Sequence, residues 1–237
     1  MQARQLFQSG KLDEAIEALG VEVRDNPGDV QRRAFLFELL CFAGSYDRAE
    51  KQLAVIGRGN RNAEMGALLY HAALHAERLR QDMFEKKSFP TTSARVVGGT
   101  LNGKPFESLT DADPRIGPRL ELFAAGQYMW MPLEHVESVR LQPPSKLRDL
   151  LWAPAIVRPA ESFSGLELGE VLIPAIAPLT WQHAAGDLRL GRVTEWYEDE
   201  DGDQAPAGQK ILLVDGEEFP ILELRELEIA HAPAPTT

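Results

Sequence analysis

The chain has 237 residues, 44% of them hydrophobic, which suits one large domain or two smaller ones with real cores. Its 25 basic and 36 acidic side chains leave a net charge of −11, and the excess is local: residues 1–90 hold 13 of each sign, residues 91–237 hold 12 basic and 23 acidic. An acidic half repels phosphate backbones, which argues against nucleic acid as a partner, and no apolar run approaches the roughly 20 residues that span a bilayer.

The N-terminus "MQARQLFQSG" lacks a basic segment followed by an apolar one, so no leader is visible and a cytoplasmic protein is expected. The first structural signal is a doubled phrase. "GKLDEAIEAL" at 10–19 is followed 34 residues later by "GSYDRAEKQL" at 44–53, aligning Gly10 with Gly44, Asp13 with Asp47, Ala15 with Ala49 and Leu19 with Leu53. Ala3, Leu6, Phe7, Leu12, Ala15, Ile16 and Leu19 recur at spacings of three and four, apart from a jog at Gly10, where a φ > 0 turn ends one helix and begins the next. "NPGD" at 26–29 is a second turn, with Asp29 placed to cap a helix over about 30–43. Phe35, Leu36, Phe37, Leu39, Leu40 and Phe42 surround that helix, so it is expected to be sandwiched between others. A fourth helix is expected near 46–57 and a longer fifth over 61–86, with Met65, Leu68, Leu69, Ala72, Ala76, Leu79 and Met83 on one face.

Helix pairs repeating every 34 residues are the signature of tetratricopeptide-type repeats, whose curved platforms hold a peptide or helix. A plain bundle with chance similarity is the competing reading. Cys41, alone among core-type residues, reads as buried packing in a reducing compartment. His71 and His75 sit four apart, but Ala72 stands where a metalloprotease has Glu, and two histidines leave zinc short of ligands, so no metal is expected there.

After residue 90 the grammar changes. Every proline but Pro27 falls at or after residue 90, among short β-type runs at 95–99, 127–133, 136–141, 170–175, 192–197, 210–214 and 218–222, with helix-like pieces near 116–125 and 145–151. The fold class is therefore α+β: a helical repeat domain over 1–90, a compact antiparallel β-rich domain over 91–230, and a disordered tail over 231–237.

Several stretches in the second half imitate active sites. "GGTLNGK" at 98–104 satisfies the phosphate-loop spacing, and with Asp111 and Asp113 it offers a magnesium-dependent nucleotide site as the enzymatic alternative. Against this, Pro105 stands where Ser or Thr should bind magnesium, and Asn102-Gly103 is a hairpin signal. The two aspartates more simply serve turns and pair with Arg115 or Arg119. "EDEDGD" at 198–203 has its glycine misplaced for a calcium loop, and Lys210 replaces the bidentate Glu. No nucleophile, base and orienting group assemble, so no cofactor and no catalytic residue is expected.

The run "GGTLNGKPFESLTDADPRIGPRLELFAAGQYMWMP", then "KLRDLLWAPA", "GEVLIPA" and "LRLGRVTEW", resembles the ImpE/TagJ family of type VI secretion accessory proteins. The resemblance extends over nearly the whole chain; "IAPLTWQHAAGD" at 176–187 departs from the more aromatic phrase expected there. It implies a non-enzymatic cytoplasmic protein that associates with the N-terminal helix of the small contractile-sheath subunit and modulates sheath assembly or recycling. For such a helix the candidate groove residues are Arg33, Phe37, His71 and His75 on the repeats, and Arg115, Trp130, Arg148 and Trp152 on the second domain. Tryptophan and arginine are favoured at binding hot spots, although a core role is the more common one for each tryptophan.

Overall fold

The computed structural model describes residues 2–163, 168–198, 202 and 204–231. The expected acidic loop and tail therefore lie mostly outside the described residues.

Five helices open the chain: α1 (Gln2–Gln8), α2 (Leu12–Asp25), α3 (Val30–Phe42), α4 (Tyr46–Ile56) and α5 (Arg61–Glu85). The doubled phrase builds the same corner twice. Gly10 and Gly44 adopt φ of +75° and +66°, and the following residue reaches back five positions in each case, Lys11 N to Leu6 O and Ser45 N to Leu40 O, both at 2.9 Å. Asp29 caps α3 by accepting from Arg32 N at 2.9 Å, and Asn60 caps α5 through Ala63 N. Helix α3 buries Leu36 through Phe42 without a gap, as its all-round apolar pattern requires.

The strands follow: β1 (Gly99–Leu101), β2 (Lys104–Phe106), β3 (Leu109–Asp111), β4 (Arg119–Ala124), β5 (Gln127–Pro132), β6 (Val136–Leu141), β7 (Trp152–Pro159) and β8 (Glu170–Pro174). A single-turn α6 (Gly186–Arg189) precedes β9 (Thr194–Glu198), β10 (Gln204–Gly208), β11 (Ile211–Val214), β12 (Glu217–Pro220) and β13 (Glu226–Ile229). Eight strands form one antiparallel sheet in the order β2-β1-β13-β6-β7-β8-β4-β5; β12-β11-β3 and β10-β9 form two smaller sheets. The chain thus joins a helical repeat region to an antiparallel β-rich region.

One expectation is corrected. Residues 116–125 read as helix-like, yet they contain β4. Leu120 and Leu122 enter the core of the β-rich region, while Phe123 packs with the helices and Glu121 meets α5. With both faces buried, the strand loses the alternation that marks a half-exposed one. Strand β7 also lies outside the expected β-type runs, and it holds Pro154, a residue uncommon in central strands. The residue lies just beyond Ala155, the last to pair with β6, so the strand has a neighbour on one side only at that point.

The apolar face assigned to α5 is also different. Ala67, Ala73, Leu74, Ala76, Glu77, Arg80, Gln81 and Phe84 point inward, whereas Met65, Leu68 and Leu69 are more than half exposed. Helix α5 turns a partly polar side inward because that side meets the sheet, where Arg80 pairs with Glu121 of β4, itself bound to Lys210 just before β11.

Candidate partner-binding site

Two polar assemblies lie where the helices meet the sheet. The deeper one centres on Arg80 of α5, 1% exposed. Its Nε and Nη2 donate to both oxygens of Glu121 at 2.7 and 3.0 Å, Nη2 also reaches Ile176 O at 3.0 Å, and Nη1 reaches Glu77 Oε1 at 3.3 Å. Lys210 lies between Glu121 and Asp111, with its Nζ 2.5 Å from Asp111 Oδ2. Tyr128 donates to Glu121, and Trp152 Nε1 donates to Glu77 Oε2 at 2.7 Å. Burial pushes the Asp111 carboxyl up to about 6 against the pull of Lys210. Burial would raise Glu121 too, but Arg80 and Lys210 outweigh it and hold that group at about 2. The charges are closed against solvent and satisfy one another, so the assembly holds elements together rather than presenting itself to a ligand.

The second assembly reaches the surface. Arg148, in the one-turn 3-10 helix Leu147–Leu150, donates to Tyr70 Oη at 2.7 Å and to Glu38 Oε1 at 2.8 Å. Tyr70 stacks on Trp152 and meets Phe37 edge-on. The structure brings Phe37 of the repeats and Arg148 and Trp152 of the second domain to one junction. However, Phe37 and Trp152 are 2% and 1% exposed, so they form the wall behind the surface and touch no incoming chain. The reason is packing: each is a large apolar body with its polar neighbours already matched.

The remaining candidates lie elsewhere. Trp130 packs among Phe84 and Phe89, under the Arg119 guanidinium. Arg115 grips Asp113 with two nitrogens at 2.8 and 2.6 Å and lies over Phe84. Arg33 donates to Gln52 Oε1 and Pro27 O; His71 Nδ1 faces Glu50 at 3.4 Å; His75 is exposed. Among the described residues no three His, Cys, Asp or Glu side chains gather as a metal site. Cys41 is buried, which pushes its thiol well above the ordinary value.

The phosphate-loop spacing resolves into a hairpin. Leu101 pairs with Lys104 across Asn102 and Gly103, whose φ values are +50° and +77°. A two-residue turn between strands leaves no helix N-terminus to cradle phosphate. Asp113 N donates to Asp111 Oδ1 at 2.9 Å, and both carboxylates are committed to cations of the chain.

Beside the junction lies an open groove of about 470 Å³. Phe7 of α1 and Phe35 of α3 line it, their rings edge to face at 5.5 Å, with Ala34, Glu38 and Leu147. Arg192 lies over Phe7 and donates to its carbonyl oxygen at 2.6 Å, while Arg4 lies over Phe35. Both phenylalanines remain partly exposed. Their spacing reads as ordinary core, although one signal of exposure is present: a short helix that is apolar all round, in an array with few helices, has more apolar surface than its neighbours can cover.

The repeats and the β-rich region also meet at a place no motif announced. A Cβ on Gly44 would lie 2.6 Å from the Trp181 ring, and one on Gly10 2.5 Å from Asp187 Oδ1. The two equivalent repeat corners both abut 181–187, inside the stretch that departs from the family phrase.

Comparison with known proteins agrees with this architecture. The family described as "ImpE protein" matches residues 103–228, and "Tetratricopeptide repeat" matches residues 6–71. The chain is 32% identical to the type VI secretion system accessory component TagJ of Pseudomonas aeruginosa, over 99% of this chain and 93% of that protein. The crystal structure of protein VPA1032 from Vibrio parahaemolyticus has the same fold, with a TM-score of 0.85, 22% identity, and 98% and 99% of the two chains covered. The repeat corners, the strand pattern and the matched residues together establish that this chain belongs to the ImpE/TagJ family.

Proposed function

We propose that this chain is a non-enzymatic accessory protein of a type VI secretion system, working in the cytoplasm. In this reading its helical unit, residues 1–90, and its β-rich unit, residues 91–230, together receive the N-terminal amphipathic helix of the small contractile-sheath subunit and so modulate sheath assembly or recycling. The observation that carries the reading is the groove beside Arg148, where Phe7 and Phe35 leave apolar edges uncovered between α1, α3 and Leu147. A helix that buried an apolar side chain there would gain about 25 cal/mol per Å² before the costs of association. The membership in the ImpE/TagJ family and the accessory role of the Pseudomonas relative support it, and so does the commitment of Asp111, Asp113 and Lys104 to structural partners or a strand. No helix among the described residues is long and apolar enough to cross a membrane.

Titration of a labelled peptide carrying the sheath subunit's N-terminal helix tests the proposal. Saturable binding should weaken by about tenfold or more in Phe35→Ala, the loss of one buried aromatic anchor. Absence of saturable binding by folded protein would remove the reading.

A further inference from the structure

A second trough, lined by α2, α3 and α4 and separate from the groove at Phe7 and Phe35, measures about 670 Å³. Three features of it are unexplained by the fold. First, Arg24, Arg33 and Arg48 line it against one carboxylate, Glu17, and none of the three is paired with an acidic group among the described residues. In a helical half that balances 13 basic against 13 acidic side chains, three arginines sharing one carboxylate make a local cationic patch. Second, Arg48 stands in the first turn of α4, where the positive end of the helix disfavours a cation. Third, Gly20 lies in the middle of α2 with nothing within 4 Å of where its Cβ would be. A mid-helix glycine costs helix stability relative to alanine, and here no neighbour within the chain requires it. What it does provide is room for another backbone to approach closely beside Val21, an apolar side chain of the trough that is 47% exposed.

We infer that this trough binds an acidic amphipathic helix of a partner protein, its apolar stripe seated over Gly20 and its carboxylates paired with Arg24, Arg33 and Arg48. The shape argues for a helix. Ile16 and Gly20 on α2, and Arg48 and Gln52 on α4, are each four residues apart, and rows at that spacing accept the ridges of another helix. The charge argues for acid, because guanidinium groups without internal counter-charges, Arg33 being held only by the neutral Gln52 and Pro27 oxygens, gain most from carboxylates brought to them.

The test uses the full chain and a fluorescein-labelled peptide of about 18 residues, five helical turns, with Leu at i, i+3, i+4 and i+7 and Glu at most other positions. One control replaces Glu by Lys; another shuffles the sequence so that the stripe is lost. Anisotropy should show saturable binding of the acidic peptide, weakened by salt, and binding about tenfold or more weaker for each control. Arg24→Glu with Arg48→Glu should weaken it by at least about tenfold. Gly20→Leu should raise the thermal midpoint while weakening binding about tenfold, a combination that a purely structural glycine would not produce. Phe35→Ala should leave this binding unchanged, so failure here is distinguishable from failure at the other groove. Equal binding of all three peptides, or indifference to the arginine or glycine substitutions, would overturn the inference. So would a self-association, or a binding of phosphatidylserine vesicles, that the arginine reversals abolish while the acidic peptide remains unbound.

Discussion

Arg80 and Glu121 face each other fork to fork at 2.7 and 3.0 Å, both almost fully buried, joining the fifth helix of the repeat region to a strand of the eight-stranded sheet. Each is also bound to further polar groups, so removing one orphans others. Glu121→Ala should lower stability by about 3–5 kcal/mol, because Arg80 and Lys210 would remain buried with too few counter-charges. Urea denaturation followed by tryptophan fluorescence measures this, and Trp152, bound to Glu77 in the same assembly, reports on it directly. A loss no larger than that of a surface substitution would show that the assembly is not needed for the fold.

The same assembly gives stability a signed dependence on pH. Glu121 lies at about 2, below its ordinary 4.5, so its contribution is present above pH 4.5 and is lost as pH falls toward 2. Asp111 lies at about 6, above its ordinary 3.8, so its contribution is present below 3.8 and is lost as pH rises through 6. Asp111→Asn should remove the decline between about pH 4 and 6, and Glu121→Gln should flatten the acid limb. Urea midpoints measured across that range decide both.

Three glycines should respond to alanine with different signs. Gly44→Ala places a side chain at φ +66° against the Trp181 ring, and Gly10→Ala does the same at +75° against Asp187. Each should lower stability by about 1–2 kcal/mol from backbone strain alone, more where Trp181 must move. Gly20→Ala, in open space within α2, should raise it by about 0.5–1 kcal/mol. Thermal midpoints of the three variants should therefore fall on both sides of the unmodified protein.

Lys104 belongs to a hairpin strand, with its side chain exposed. Lys104→Ala should leave stability within about 0.5 kcal/mol of the parent, as for surface changes generally. Calorimetry with ATP and magnesium should show no heat that depends on this residue. A Lys104-dependent binding heat would restore the enzymatic alternative.

Legibility in the sequence followed the range of the forces involved. The first five helices could be read almost to the residue, because Gly10, Asp29, Gly44 and Asn60 act on backbone groups a few positions away. The Asn102-Gly103 hairpin was legible for the same reason. Strand β4 was not, since its pattern "RLELFA" depends on which neighbours cover each face. The candidate site was partly visible: Arg148 lies at the junction beside the groove, but Phe37 and Trp152 fell inside it, and Phe7 and Phe35 were read as ordinary core.

Local chemistry along the chain therefore established the helical repeat, its corners and the hairpin that occupies the phosphate-loop spacing at 98–104. Where those pieces lie against one another was decided only in three dimensions. Arg80 meets Glu121 across 41 residues, and Gly44 meets Trp181 across a still longer interval of chain. Whether an arginine or a phenylalanine ends as wall, clamp or open surface depends on the burial and counter-charge that such distant partners bring, and spacing along the chain carries no record of either.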